Sequence, residues 1–132
     1  MKKSIRALST NLIFIVLVVF LAACNPSQND PAKVIEAYIR ALSGKDQARL
    51  SSLSCSEWES SALLEADSLV GVGSTIQDLS CSQTSQESST SFVACTGVLA
   101  LDYNGEAQQI DLSTRTYVAR QEAGEWRMCG YH

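Results

Sequence analysis

Three sets of side chains in this sequence could carry chemistry: a single histidine, a group of carboxylates and five cysteines. His132 is the last residue, where a frayed end is expected, and without an interior histidine no Ser-His-Asp set can be assembled. Asp111 and Arg115 are predicted to be an ordinary solvated pair on the outward face of a strand. A solvated helix face is likewise the simpler interpretation of the carboxylates Glu57, Glu59, Glu65 and Asp67. No phosphate loop, dinucleotide fingerprint or metal-ligand cluster occurs. We therefore expect no catalytic residue, no metal and no cofactor.

The first cysteine, Cys24, follows a segment that is typical of a secretory signal peptide. The segment starts with basic residues, continues with an apolar run over residues 12–21 and ends in small residues. The run is shorter than the roughly twenty residues that a membrane-spanning helix needs. Leu21-Ala22-Ala23-Cys24 resembles the lipobox of bacterial lipoproteins. The resemblance implies that residues 1–23 are removed and that Cys24 is lipidated.

The lipobox predicts a location in the cell envelope, with the protein anchored to a membrane through the lipid on Cys24. The anchor would lie on the outer side of the cytoplasmic membrane or in an outer membrane. Asn25 favours the outer membrane weakly, because the family pattern places Asp there in lipoproteins that stay in the inner membrane. An ordinary cleaved signal with an accidental cysteine and an uncleaved membrane anchor are the alternatives.

Composition limits what the rest of the chain can be. Residues 24–30 are expected to form a short tether, and residues 31–132 are long enough for a single small domain. Because Lys2, Lys3 and Arg6 would leave with the signal peptide, 7 Lys and Arg would remain against 14 Asp and Glu, a net charge of −7. This balance disfavours nucleic acid as a partner, since binding it requires clustered basic residues.

The four remaining cysteines form an even set: Cys55, Cys81, Cys95 and Cys129. In a small exported domain such a set predicts two disulfides. A zinc site with four thiolates is the alternative. Such sites are normally built from Cys-x-x-Cys pairs, and none occurs in this sequence.

Three helices are predicted in the first half of the domain. Asp30-Pro31 is an N-cap followed by a first-turn proline, and the helix that it opens ends at Gly44. A second helix is expected from Asp46 to about Leu53. Ser56-Glu57-Trp58-Glu59 has the pattern of a capping box and opens a third helix.

A four-stranded antiparallel meander is predicted in the second half. Residues 74–82 form the first strand, residues 82–91 a flexible Ser, Thr and Gln loop, and residues 92–103 the second strand. Asn104-Gly105 is typical of a type I′ hairpin turn and leads into one continuous return strand over residues 107–120. Residues 125–131 form the last strand. The predicted fold class is therefore α+β.

The meander selects a pairing for the four cysteines. The Asn104-Gly105 turn places Leu101 opposite Gln108, Leu99 opposite Ile110 and Cys95 opposite Thr114. Cys95 and Cys129 would then lie two strands apart, about 9.5 Å at the usual strand spacing. A disulfide needs Cα atoms within roughly 7 Å. The expected bridges are Cys81–Cys95 and Cys55–Cys129.

Two segments resemble nuclear-transport-factor-2-like domains. One is the opening helix, Pro31 to Leu42, with the Gly44-Lys45-Asp46 that follows it; the other is the closing hairpin from Tyr117 to Cys129, with its Gly124-Glu125-Trp126-Arg127. The resemblance implies three N-terminal helices packed on a curved antiparallel sheet, forming a cone that sometimes holds a ligand. Fewer strands follow the third helix here than in larger members, so a deep cone is not expected.

Aromatic residues are the candidates for lining a small apolar pocket beneath the helices: Tyr38, Trp58, Tyr117 and Trp126. The alternative is that these residues simply form the core. The favoured function is a non-catalytic, membrane-anchored lipoprotein module that binds a protein or a small apolar ligand. The alternative function is a small isomerase or dehydratase, which would need an ionisable group facing a solvent-reachable cavity.

Overall fold

The structure, a computed structural model, describes residues 26–132. The predicted signal peptide, the lipobox and the lipidated Cys24 lie outside these residues. None of the helices in the described part is long and apolar enough to span a bilayer.

Three helices precede five strands in the described chain. The helices are α1 (Pro31–Gly44), α2 (Gln47–Leu53) and α3 (Glu59–Ser68). The strands are β1 (Gly73–Glu87), β2 (Thr90–Tyr103), β3 (Glu106–Asp111), β4 (Thr116–Glu122) and β5 (Glu125–Tyr131). Short 3-10 turns occupy Pro26–Asn29 and Leu112–Thr114. The α+β class is as predicted, but the sheet has five strands rather than four.

Helix α1 packs across the sheet and begins as predicted. Asp30 Oδ1 accepts a hydrogen bond from the amide of Ala32 at 2.8 Å, and Pro31 occupies the first turn. The left-handed residue that ends the helix is Lys45, with φ 55°, rather than Gly44. The apolar stripe predicted from the sequence is buried against the sheet and comprises Val34, Ile35, Tyr38, Ala41 and Leu42.

The entry to α3 differs from the predicted capping box. The hydroxyl of Ser56 donates to Glu122 Oε1 at 2.9 Å, and Glu59 accepts a hydrogen bond from Ser51 on α2. Trp58 occupies the N-cap position without a side-chain cap. Both side chains that a capping box requires therefore form hydrogen bonds with other elements instead.

Strand β2 lies at the centre of the sheet, whose order is β1-β2-β4-β5 with β3 also paired to β2. One edge of β2 pairs with β1. The other edge pairs with β3 over residues 98–103 and with β4 over residues 90–94. Four inward residues of β2 are buried as predicted: Val93, Cys95, Leu99 and Leu101.

The polar tract predicted as a flexible loop is instead part of a hairpin. β1 continues to Glu87, which pairs with Thr90 across a two-residue turn that includes Ser88 at φ 56°. The exposed side chains of this tract need no core, because pairing between β1 and β2 satisfies the backbone polar groups. The polar composition of this tract is therefore compatible with a strand.

The predicted return strand over residues 107–120 is broken in two. β3 keeps the predicted register, with the pairs Leu99–Ile110 and Leu101–Gln108. The last pair with β3 is Val98–Asp111, and the nearest pair with β4 is Ala94–Thr116. These pairs are four residues apart on β2 but five residues apart on the segment that joins β3 to β4. The Leu112–Thr114 turn takes up the extra residue, so Thr114 lies in the turn instead of facing Cys95.

The extra residue reverses which side chains of β4 face the core, relative to the prediction. A one-residue slip moves every side chain of a strand to the opposite face. Tyr117 and Ala119 are therefore buried, whereas the sequence predicted Thr116 and Val118 on the inward face.

Both disulfides are present with the expected pairing. Cys81–Cys95 joins facing residues of β1 and β2. Cys55–Cys129 joins the connection between α2 and α3 to β5, with Cα atoms 5.3 Å apart. Two disulfides in a small domain are typical of proteins that fold in an oxidising compartment outside the cytoplasm.

The described part of the predicted tether packs against the domain. Gln28, in the Pro26–Asn29 turn, is buried, and its Nε2 donates to the carbonyl of Ser52 at 3.2 Å. The turn contacts α1 and β5. The packed part of the domain therefore begins before residue 31, which was the predicted start.

Candidate functional site

A cleft of about 180 Å³ opens between the helices and the sheet, at the point where β3 gives way to β4. Helices α1 and α3 form one wall, and the sheet forms the other. Most of the lining is apolar: Ile39, Leu42, Leu69, Leu99, Ile110, Leu112 and Tyr117. The polar lining consists of Glu65, Ser68, Arg115 and Tyr131.

The volume of the cleft limits what it can hold. An apolar cavity of about 150 Å³ binds benzene, whereas pockets for drug-sized ligands start at roughly 300 Å³. The cleft therefore suits one ring or one branched aliphatic group.

Glu65, on α3, is the central acceptor of a hydrogen-bonded network beside the cleft. Its Oε2 accepts from the hydroxyl of Tyr38 at 2.9 Å and from the hydroxyl of Tyr131 at 3.1 Å. The Tyr38 hydroxyl in turn accepts from Trp58 Nε1 at 3.0 Å. Because these residues come from α1, α3, β5 and the start of α3, the network ties the helices to the sheet.

The tyrosines of this network are held in their neutral form. Burial raises the pKa of Tyr38 and of Tyr131 far above the ordinary value, and the charge of Glu65 raises both further. Burial also raises the pKa of Tyr117, while the charge of Arg115 opposes that shift. The hydroxyls therefore remain hydrogen-bond donors at neutral pH and hold Glu65 in place without releasing their protons.

Arg115 brings a positive charge to the cleft. Its guanidinium carbon lies 4.6 Å from the centroid of the Tyr131 ring, which is a cation–π distance. The prediction of a solvated pair with Asp111 is wrong, because Arg115 forms no ion pair within residues 26–132. Asp111 instead accepts hydrogen bonds from the hydroxyl and the amide of Ser113, which lower the pKa of Asp111 and cap the 3-10 turn.

The fold separates the four aromatic residues that were candidates for lining a pocket. Tyr117 lines the cleft. Tyr38 and Trp58 lie behind its wall, where the Trp58 ring makes an edge contact with the ring of Tyr131 at 5.3 Å between centroids. Trp126 is buried in the core and is not part of the cleft lining.

The other predicted polar residues have structural contacts outside the cleft. Partners on neighbouring elements bind the remaining three carboxylates, in the pairs Glu57–Arg120, Glu59–Ser51 and Asp67–Gln47. His132 is not frayed, because its backbone exchanges two hydrogen bonds with Thr116. Within residues 26–132, no group of His, Cys, Asp and Glu is arranged to hold a metal ion.

Sequence reasoning placed Glu65 and Arg115 in solvent and did not consider Tyr131. A signal for Arg115 was available at Asp111-Leu112-Ser113, because an Asp two residues before a Ser favours an Asx turn, which interrupts a strand. An interruption of one residue there moves Arg115 and Tyr117 to the face of the sheet that borders the cleft. No comparable local signal marks Glu65, whose burial depends on the docking of α3.

Comparison with known proteins shows the fold. No protein-family model and no curated protein sequence matches this chain. Among solved structures, the chain is similar to a SEC-C motif containing protein from Rhodopseudomonas palustris, with a TM-score of 0.57 and 14% identity over 79% of this chain and 78% of that chain. It is also similar to an NTF2-like protein with a cystatin-like fold from Novosphingobium aromaticivorans, with a TM-score of 0.51 and 14% identity over 78% and 77% of the two chains. At this identity the similarity shows the α+β fold alone.

Proposed function

We propose that this protein is an exported lipoprotein, anchored in the cell envelope through Cys24, whose domain binds a small and mainly apolar ligand without catalysing a reaction. The observation that carries the binding proposal is the cleft itself. Its walls are apolar, its volume of about 180 Å³ suits a single ring or branched chain, and neutral tyrosines border it. Burial of apolar ligand surface contributes about 25 cal/mol per Å².

Binding is testable with a neutral probe and a matched pair of variants. The probe is 3-methylbutan-1-ol, whose branched chain suits the volume of the cleft. Ile110→Trp fills the cleft from β3, whereas Gln109→Trp places the same side chain at an exposed position one residue away on that strand. Wild type and Gln109→Trp should show saturable amide shifts at Leu99 and Tyr117 in NMR titrations, and Ile110→Trp should show none. Equal binding by all three proteins, or no saturable binding by wild type, would contradict the proposal.

The anchor is testable by intact mass. Protein extracted from membranes should have the mass of residues 24–132 plus acyl groups, and reduction should add four protons for the two disulfides. Cys24→Ala should abolish the acylated species and release the protein from the membrane fraction. An unlipidated mass for wild type would remove the anchor from the proposal and leave the binding experiment unaffected.

A small isomerase or dehydratase is the second candidate, and the position of Glu65 favours it. Its carboxylate lines the cleft beside the Tyr131 hydroxyl, which is an arrangement that proton abstraction next to a carbonyl could use. Cyclohexanone in D₂O is a suitable probe, because a base in the cleft would exchange its α-protons for deuterium. We expect wild type and Glu65→Gln to leave the exchange rate at its buffer value. Faster exchange with wild type alone would favour the enzyme.

A further inference from the structure

Two opposite charges border the apolar cleft, and one aromatic side chain contacts both. The hydroxyl of Tyr131 donates to Glu65 at 3.1 Å, and the ring of Tyr131 lies 4.6 Å from the guanidinium of Arg115. Trp58 and Tyr117 pack on the Tyr131 ring at 5.3 and 5.4 Å between centroids. Both charges therefore contact the same packed aromatic cluster.

Both charged groups retain hydrogen-bonding capacity. In the described part of the chain, Glu65 and Arg115 form no ion pair with each other. Both hydrogen bonds to Glu65 converge on Oε2, so Oε1 accepts none from residues 26–132. Arg115 is exposed, and its guanidinium has five N–H donors in a planar fork that matches a carboxylate.

We infer that the ligand of this cleft is a small zwitterion with an apolar side chain, an α-amino acid such as leucine being the simplest example. The inference rests on the proposed binding function. The apolar side chain occupies the space between Leu99, Ile110 and Leu112. The ammonium group donates to Glu65 Oε1, and the carboxylate accepts from the fork of Arg115.

Charge complementarity favours a zwitterion over singly charged ligands. A carboxylic acid bound on Arg115 would leave the negative charge of Glu65 beside its own charge. An amine bound on Glu65 would leave Arg115 without a partner in the same way. Only a ligand with both charges matches both groups, and placing like charges side by side is penalised.

The cleft and the N-terminal turn lie towards opposite ends of α1. The N-terminal turn, Pro26–Asn29, directly precedes α1 in the chain and contacts it. The cleft uses Ile39 and Leu42 in the second half of the same helix. At 1.5 Å per residue, Leu42 lies about 16 Å along the helix from Pro31. The cleft therefore lies towards the end of the helix that is remote from the N-terminal turn.

The test compares four probes that share one branched chain. They are leucine, 4-methylpentanoate without the ammonium group, 3-methylbutylamine without the carboxylate, and 3-methylbutan-1-ol without either charge. Valine and phenylalanine bracket the size of the side chain. Affinities are measured by NMR titration of the folded, disulfide-bonded protein. The best amino acid should bind at least about tenfold more tightly than each of the other three probes, the ratio that one charge-assisted hydrogen bond supplies.

Two variants assign the charges. Arg115→Gln and Glu65→Gln should each lower leucine affinity by at least about tenfold. Binding of 3-methylbutan-1-ol to each variant reports any change in the shape of the cleft, and the ratio of leucine affinity to alcohol affinity is the quantity that should fall. Arg40→Gln, at an exposed position of α1 outside the cleft lining, is the matched control and should change nothing.

The outcomes separate this inference from the proposed function. If the alcohol binds and no amino acid binds more tightly, the zwitterion is wrong and the apolar binding module stands. Tighter binding of the acid or the amine than of leucine also overturns the zwitterion, in favour of a singly charged ligand. If no probe binds at all, both the inference and the proposed function fail.

Discussion

Replacing Tyr38 by Phe should destabilise the domain by several kcal/mol although it removes a single oxygen atom. Tyr38 is fully buried, and its hydroxyl makes two hydrogen bonds. It donates to Glu65 at 2.9 Å and accepts from Trp58 at 3.0 Å. The ring itself is retained in Phe, so packing of α1 on the sheet is unchanged.

The magnitude follows from the two bonds. A hydrogen bond to a charged group contributes about 1.5–3 kcal/mol, and one between neutral groups about 0.5–1.5 kcal/mol. Tyr38→Phe should therefore cost about 2–4.5 kcal/mol. For a domain of this size, each kcal/mol lowers the melting temperature by about 4–8 °C. Tyr131→Phe should cost less, because the Tyr131 hydroxyl makes one bond and its side chain is only half-buried.

Urea unfolding followed by tryptophan fluorescence, with both disulfides intact, measures these free energies. Repeating Tyr38→Phe in a Glu65→Gln background isolates the charge, since Gln keeps an acceptor oxygen without the negative charge. In that background both bonds join neutral groups, and the cost should fall to about 1–3 kcal/mol. A cost below about 0.5 kcal/mol in wild type, or an equal cost in both backgrounds, would refute a stabilising role of the charged network.

Three further predictions concern the backbone, the disulfides and the buried tyrosines. Gly97→Ala and Gly105→Ala both place alanine at positive φ, at 110° and 92°, which costs about 1–3 kcal/mol. Gly97→Ala should cost more in urea unfolding, because its Cβ would lie 2.6 Å from the Gln77 carbonyl oxygen, whereas the Cβ of Gly105→Ala meets no atom within 4 Å. Removing Cys55–Cys129, which joins residues 74 apart, should lower the melting temperature more than removing Cys81–Cys95, whose residues are 14 apart. Loop entropy gives about 4.5 kcal/mol for the first bridge and about 3 kcal/mol for the second. The free energy of unfolding should fall as pH rises above 10.0, the ordinary pKa of tyrosine. Burial raises the pKa of Tyr38 and Tyr131 above that value, so the unfolded chain loses protons that the folded chain keeps. Each tyrosine should contribute a loss of about 1.4 kcal/mol per pH unit there, and absorbance at 295 nm should show both ionising together with unfolding.

Local signals in the sequence were sufficient for the elements that local interactions decide. Asp30-Pro31 predicted the start of α1 because the cap and the proline act within one turn. Asn104-Gly105 predicted both a turn and the register of β2 with β3, since a two-residue hairpin fixes the facing residues. The α+β class followed from the change of hydrophobic period between the two halves.

The site was predicted poorly because long-range contacts and a single extra residue create it. Pairing with β2 makes a strand of the polar residues after Cys81, whatever their composition. The turn at Leu112–Thr114 reverses the faces of β4 and brings Arg115 to the cleft. Glu65 becomes an acceptor only when Tyr38 and Tyr131 approach it from other elements.

The shared strand β2 also determines how the domain should open and assemble. Its amides have partners on both edges over most of residues 90–103, so we expect them to be the last in the sheet to exchange with deuterium. β1 and β3 adjoin β2 in the sequence, so these pairings close short loops and can form early in folding. We expect the helices to dock on the sheet afterwards, because their contacts with it join residues far apart in the chain. The Cys55–Cys129 disulfide then links the connection between α2 and α3 covalently to β5.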